Sequence, residues 1–145
     1  MPFKESNKIE RIEYEMTTLV RRAVYKDSSG SKIGDLDRAI YLLLRELEAR
    51  GPARLKDLAE FFKLDTSTLS RQATSAEAKG LISRLQDPND KRGSLFHITD
   101  LGITKLTEDK KKRSSRYQEM LKSWSDEEID IFGDLLIRMN EILAE

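Results

Sequence analysis

Eight residues between positions 66 and 75 carry side chains suited to close approach to a polar, charged surface: Thr66, Ser67, Thr68, Ser70, Arg71, Gln72, Thr74 and Ser75. Short hydroxyls reach a phosphate or the edge of a base without a bulky stem, while Arg and Gln suit two-point hydrogen bonding to guanine and adenine. Hydroxyl residues are mediocre helix formers, and an idle helix surface would favour Glu and Lys. One of Thr66, Ser67 and Thr68 is expected to cap the start of a helix, which explains the beginning of the stretch but not the rest of it. The face as a whole reads as a DNA-contacting one.

A second cluster lies in "DPNDKRGSLFHIT", Asp87 to Thr99. Asp87-Pro88-Asn89-Asp90 fits a type I turn, with proline presetting φ at the second position. At the tip of such a hairpin, Lys91 and Arg92 would lie along a phosphate backbone or put a guanidinium into a narrow minor groove, where negative potential is enhanced. Asp90 would orient the arginine. Alone, the pair reads better as an ordinary solvated turn, since charged hairpin tips are common; directly after the hydroxyl-rich stretch, DNA contact becomes the better reading. A third set comprises Arg21, Arg22 and Tyr25, then Tyr41 and Arg45, which put cations beside aromatic faces as an anionic aromatic ligand requires. The same spacing more often belongs to an amphipathic interface in which arginine stems pack and their heads stay wet, which is the stronger reading.

These residues need elements to hold them. Ile9, Ile12, Met16, Leu19, Val20 and Ala23 recur at helical steps, and Asp27-Ser28-Ser29-Gly30 reads as a loop. A second helix is expected from about Asp35 to Ala49, with Gly51-Pro52 past its end. Leu55, Leu58, Ala59 and Phe62 define a short third one. A fourth, over residues 66–79, has Leu69, Ala73 and Ala76 as a narrow inward stripe ending at Gly80. The period then changes: 81–85 and 94–98 are short apolar runs joined by turn residues, a hairpin pattern. From Asp100 to Lys122 the pattern is helical and highly charged, and the run Lys110-Lys111-Lys112-Arg113, with Arg116, reads as a solvated face, with added phosphate contacts as the lesser alternative. Ser125 to Glu128 is a capping box, opening a helix with Ile129, Phe132, Leu135, Leu136, Met139, Ile142 and Leu143.

At 145 residues the chain suits one domain with a real core. Apolar residues are 38% and charged residues 36%, a ratio that fits long amphipathic helices or an assembly surface. Net charge is zero, which argues against a nucleic-acid partner until its distribution is considered. Residues 1–50 hold 10 cations and 9 anions, 51–99 hold 8 and 6, and 100–145 hold 8 and 11, so the middle is the most basic part. With no cysteine and only His97, thiolate chemistry, disulfides and a His/Cys metal site are out. No serine has a His and Asp set and no glycine-rich phosphate loop is present, so neither catalysis nor a cofactor is expected. The absence of a bilayer-length apolar run and of a cationic-then-apolar leader at Met1 points to the cytoplasm.

Short helix, turn, second helix and hairpin in succession make a winged helix-turn-helix order. From Leu55 to Gly102 the chain resembles the MarR-type bacterial transcriptional regulators, through "LKDLAEFFKL", "STLSRQ", "KGLISR", the wing "DPNDKRGSLFHIT" and "DLG". The family's wing pattern falls on Asp90 and Arg92 before a strand closing at Thr99. Ala76 stands where a larger aliphatic is usual, and His97 where an aliphatic or polar residue is. The resemblance implies a mainly helical chain with a small hairpin wing, as a single unit over 1–145. Residues 51–99 would form the DNA-binding part, and 1–30 and 100–145 the dimerisation helices. It further implies a homodimer on double-stranded DNA, repression as the default, and possible release by a small aromatic or phenolic anion. A winged-helix module that binds protein rather than DNA is the alternative kept open by the near-neutral charge.

Overall fold

In the computed structural model, which describes residues 7–28 and 33–145, the first apolar repeat forms α1 (Lys8–Ser28). The helix runs through Asp27 and Ser28, where a loop was expected. The Ser28 hydroxyl donates to the carbonyls of Val24 and Tyr25 at 3.0 and 3.2 Å, and Asp27 pairs with Arg38. Ser29 and Gly30, the rest of that loop, lie outside the described residues. The second helix, α2 (Arg38–Arg50), starts three residues later than its expected beginning at Asp35. Asp37 is its cap, accepting from the Ile40 amide at 2.9 Å, because Asp35 is drawn instead into an ion pair with Lys112 at 2.7 Å.

Next come α3 (Leu55–Phe62) and α4 (Thr66–Ala78), the antiparallel strands β1 (Ile82–Asp87) and β2 (Asp90–Ile98), then α5 (Asp100–Met120) and α6 (Asp126–Leu143). The core lies between α2 and the elements that follow it. Leu43, Leu44 and Leu47 meet Leu58, Leu69, Ala73, Ala76, Ile82, Phe96 and Leu106, all buried. Each such leucine contributes roughly 1.5–3 kcal/mol by leaving water. Ala53 exchanges both backbone hydrogen bonds with Phe96, at 3.0 and 2.8 Å, so the residues just before α3 form a third edge to the hairpin. Thr99 caps α5 through the Gly102 amide at 3.0 Å. A Cβ on Gly102 would fall 2.1 Å from the Leu81 carbonyl oxygen, so glycine is what lets α5 seat against the hairpin base.

In the basic run on α5, Lys111, Lys112 and Arg116 are exposed, as a solvated face requires, while Lys110 and Arg113 are half-buried. Lys110 pairs with Glu48 of α2 at 2.6 Å, Lys112 with Asp35, and Arg113 with Asp109 at 2.8 Å. The Asp109 side chain is only 1% exposed. It accepts from the Asp35 amide at 2.6 Å, while Arg113 donates to the Leu36 carbonyl at 2.8 Å and lies 3.8 Å over the Tyr41 ring. A Cβ on Gly34 would meet Asp109 Oδ1 at 2.4 Å. These contacts pin α5 to α2 and to the segment that leads into it.

The capping box of α6 is complete: Ser125 Oγ accepts from the Glu128 amide at 3.1 Å, and the Ser125 amide donates to Glu128 Oε1 at 2.9 Å. Neither α1 nor α6 contains a buried residue. Among the described residues, no helix is long and apolar enough to cross a membrane.

Candidate nucleic-acid interface

The turn between α3 and α4 is three residues long. Lys63 adopts a left-handed conformation (φ 56°), and its amide returns to the last turn of α3. The Leu64 amide bonds the Ala59 carbonyl at 3.0 Å. Asp65 then caps α4, its carboxylate accepting from the Thr68 amide at 2.6 Å and from the Ser67 hydroxyl at 2.8 Å. The hydrogen bonds from Thr68 come first, followed by that from Ser67, in lowering this carboxyl to about 2. This corrects the expectation that Thr66, Ser67 or Thr68 is the cap. A carboxylate one residue upstream does it, because it accepts from both the amide and the neighbouring hydroxyl.

Leu69, Ala73 and Ala76 hold α4 against the core. Helical spacing puts Ser67, Ser70, Arg71 and Thr74 on the opposite side. Thr66, Ser67, Arg71, Thr74 and Ser75 are exposed, and Thr68, Ser70 and Gln72 are half-buried. Arg71 Nη2 is 3.4 Å from Thr68 Oγ1, too long for a strong bond, so its guanidinium stays available. At its far end α4 is tied to β1 by Glu77 and Arg84, 3.1 Å apart.

In the hairpin the strands reach further than the apolar runs alone implied, since Asp87 pairs with Asp90 across Pro88-Asn89. Those two residues are the tip. Lys91 and Arg92, expected there, lie within β2. Gln86 pairs with Ser94 and Asp87 with Asp90, so Lys91, Arg92 and Gly93 have no partners on β1 and form a bulge. Bulges re-aim side chains and raise local twist, and both cations are exposed. Asp90 was expected to orient Arg92. Its Oδ1 accepts from the Arg92 backbone amide, at 2.9 Å, so it fixes the chain from which the guanidinium springs. His97 Nε2 meets Ser83 Oγ, the residue it faces across the ladder, a structural contact.

Asp87 was read as a turn residue only. Its carboxylate is buried, accepts from the Asn89 amide at 2.9 Å and from Arg54 Nε at 2.6 Å, and is held below the usual carboxylate range first by Asn89 and then by Arg54. Arg54 lies 33 positions away in sequence, and no local spacing points to the pair.

The aromatic and cationic residues form two separate groups. Arg21, Arg22 and Tyr25 line an open cleft of ≈ 550 Å³ along α1, with Glu13 and Tyr14. On α2, Arg45 donates to the Tyr41 hydroxyl at 3.0 Å, and Arg113 covers the Tyr41 ring. Tyr41 and Arg45 do not line the α1 cleft.

A model described as MarR family matches residues 36–94. Over 142 residues, the chain is 57% identical to the Bacillus subtilis (strain 168) protein described as "uncharacterized HTH-type transcriptional regulator YxaD", spanning 98% of this chain and 99% of that one. The chain belongs to the MarR family of transcriptional regulators. Its six described helices and antiparallel hairpin are the MarR winged-helix fold. A MarR family protein from Bacillus stearothermophilus matches it with a TM-score of 0.78 at 18% identity, covering 99% of this chain and 100% of that one. The PcaV transcriptional regulator from Streptomyces coelicolor, solved in complex with its natural ligand, matches with a TM-score of 0.68 at 19% identity, covering 97% of each. At those identities the likeness is one of fold. As a MarR regulator, the chain is a DNA-binding protein of transcription.

Proposed function

We propose that the protein is a cytoplasmic repressor, not an enzyme, that binds a pseudo-palindromic operator as a homodimer. Residues 51–99 form the reading unit, residues 1–30 and 100–145 the dimerisation helices. In this reading α4 lies in the major groove, with Arg71 and Gln72 at base edges and the hydroxyls of Thr66, Ser67, Thr68, Ser70, Thr74 and Ser75 at phosphates and bases. The 87–93 wing lies at the minor groove, with Arg92 entering it and Lys91 on the backbone. The observation that carries it is the division of α4, whose buried side is three small or medium apolar residues and whose outer side is hydroxyls around one exposed guanidinium with a long, 3.4 Å contact to Thr68.

The homodimer is supported by the two helices that bury nothing in one chain. On α6, Ile131, Leu135, Ile137, Ile142 and Leu143 are each at least half exposed, as are Leu19, Val20 and Val24 on α1. Two such faces on one small chain call for a second copy. Release by a small aromatic or phenolic anion is supported by Arg21, Arg22 and Tyr25 around one cleft; PcaV, which shares the fold, is solved with a natural ligand. Tyr41 and Arg45 would then join from α2.

The test is selection of genomic fragments by the full-length protein, followed by titration of a selected site at several salt concentrations. Affinity that falls steeply with salt and covers two half-sites about 10 bp apart is the expected result. Binding no tighter than to random DNA would leave a protein-binding module instead.

A further inference from the structure

We propose that Arg54 is a positioning residue for DNA binding: through Asp87 it fixes the bulge that presents Lys91 and Arg92. This rests on the proposed role of the wing at the minor groove.

Arg54 sits at the N-cap position of α3, yet its side chain makes no capping bond there. It reaches instead to the hairpin, where Nε donates to Asp87 Oδ2 at 2.6 Å. Its backbone is itself anchored to the wing, since the preceding residue, Ala53, exchanges two hydrogen bonds with Phe96 of β2. The pair is unequal: the Arg54 side chain is 50% exposed, the Asp87 side chain 2%. A buried carboxylate persists only when paired and hydrogen-bonded. Asp87 gets one hydrogen bond from Asn89 across the turn, and Arg54 supplies the cation.

Asp87 stands where the register breaks. It pairs with Asp90, its neighbour Gln86 pairs with Ser94, and the three residues left over are Lys91, Arg92 and Gly93. Gly93 folds back over this point: a Cβ there would lie 3.6 Å from Asp87 Cβ and 3.4 Å from Asp90 Oδ2. Asp90 in turn holds the Arg92 amide. The direction of Arg92 therefore follows from the turn, the turn from a buried Asp87, and that burial from Arg54. Without the guanidinium, the carboxylate reaches water only by opening the turn, and Arg92 loses its fixed direction while α4 keeps its own cap and core contacts.

The experiment uses the full-length protein and a selected operator fragment, with Arg92→Ala, Arg54→Ala, Arg54→Lys and the double variant Arg54→Ala/Asp87→Asn. Hydroxyl-radical cleavage reads the minor groove, guanine methylation reads the major groove, and circular dichroism with thermal melting checks the fold. Arg54→Ala is expected to lower operator affinity by about tenfold and to flatten the salt slope by about two, one per wing. It should erase the same minor-groove protections as Arg92→Ala and leave the guanine protections in place. Adding Arg92→Ala to Arg54→Ala should change little more. The double variant, with no buried charge left to strand, should regain part of the loss. Arg54→Lys keeps a cation without the Nε geometry and should fall between wild type and Arg54→Ala, which keeps the test open if Arg54→Ala does not fold. Intact minor-groove protection in folded Arg54→Ala, or losses that add fully to those of Arg92→Ala, would overturn the role of Arg54 alone. If Arg92→Ala itself changes neither protection nor affinity, the wing reading fails and this proposal with it.

Discussion

At the residue scale, Arg71 and Arg92 are both exposed cations, and the proposed reading gives them different work. Arg71 springs from the middle of a rigid helix, among hydroxyls, with only a 3.4 Å approach to Thr68. Arg71→Ala should cost about 1–3 kcal/mol on the best operator and relax base preference at one position per half-site. Arg92→Ala should weaken all sequences alike and lower the salt slope by about one per wing. Competition titrations against single-base operator variants separate the two; a uniform loss for Arg71→Ala would place it on phosphate. The exposed hydroxyls of α4 were legible in the sequence because their types conflict with an idle helix surface. Its cap was less so. Asp65, Thr66, Ser67 and Thr68 are four adjacent residues that all cap well, and only the fold shows that the carboxylate takes the amide. Arg54 and Asp87 were beyond sequence reasoning for a different reason, since an ion pair 33 positions apart leaves no periodicity.

At the element scale, α4 depends on its N-terminus, and that dependence is titratable. Asp65 is lowered from 3.8 to about 2 in the folded chain. A carboxylate with a depressed folded value contributes stability that is fully present above its unfolded value near 3.8 and is lost as pH falls towards 2. Thermal midpoints measured between pH 5 and pH 2 should therefore fall less in Asp65→Asn than in wild type, since Asn caps without titrating. Equal pH dependence would mean that the cap adds nothing to the acid side of the stability curve. The hairpin shows where pattern reading ends. Apolar alternation identified the two strands near the core, but the polar outer half, Gln86 with Ser94 and Asp87 with Asp90, pairs through main chain around the 91–93 bulge, which alternation does not record. The basic run of α5 is largely exposed, as its charge pattern implied, but its ion pairs were not legible for a similar reason: the partners Glu48 and Asp35 lie on α2 and in the segment before it. Asp109→Ala should destabilise the chain by roughly 3–5 kcal/mol, because it removes one partner of a buried pair. Gly34→Ala should destabilise it too, through the clash with Asp109. Denaturant unfolding of both variants checks this, and a loss under 1 kcal/mol for Asp109→Ala would reduce the network to a surface feature.

At the scale of the whole molecule, the helices that frame the reading unit and the unit itself must be considered together. The exposed apolar residues of α1 and α6 were evident as stripes in the sequence, but a stripe alone does not say whether its own chain covers it; the fold leaves both uncovered. Leu136→Glu with Met139→Glu should yield monomers by sedimentation, with operator affinity lost, and inserting about half a turn between half-sites should abolish tight binding of wild type. A variant that stays dimeric would move the interface off α6. The proposed effector control would act through the same geometry. The cleft of Arg21, Arg22 and Tyr25 lies on α1, outside the reading unit, and Tyr41 on α2 is already covered by Arg113, which also holds Asp109 and the Leu36 carbonyl. An aromatic anion that stacks on the Tyr41 face covered by Arg113 would displace that guanidinium and so loosen the bonds that set α5 against α2. Its effect on DNA cannot exceed its differential affinity for the two arrangements. Operator affinity should therefore fall with millimolar salicylate for wild type, and the response should shrink in Arg21→Ala and in Tyr25→Ala. Arg113→Lys, with a weaker hold on both ring and carboxylate, should respond at lower ligand concentration. A response unchanged in all three variants would place the site elsewhere, and no response to any aromatic anion would leave a regulator controlled by its abundance.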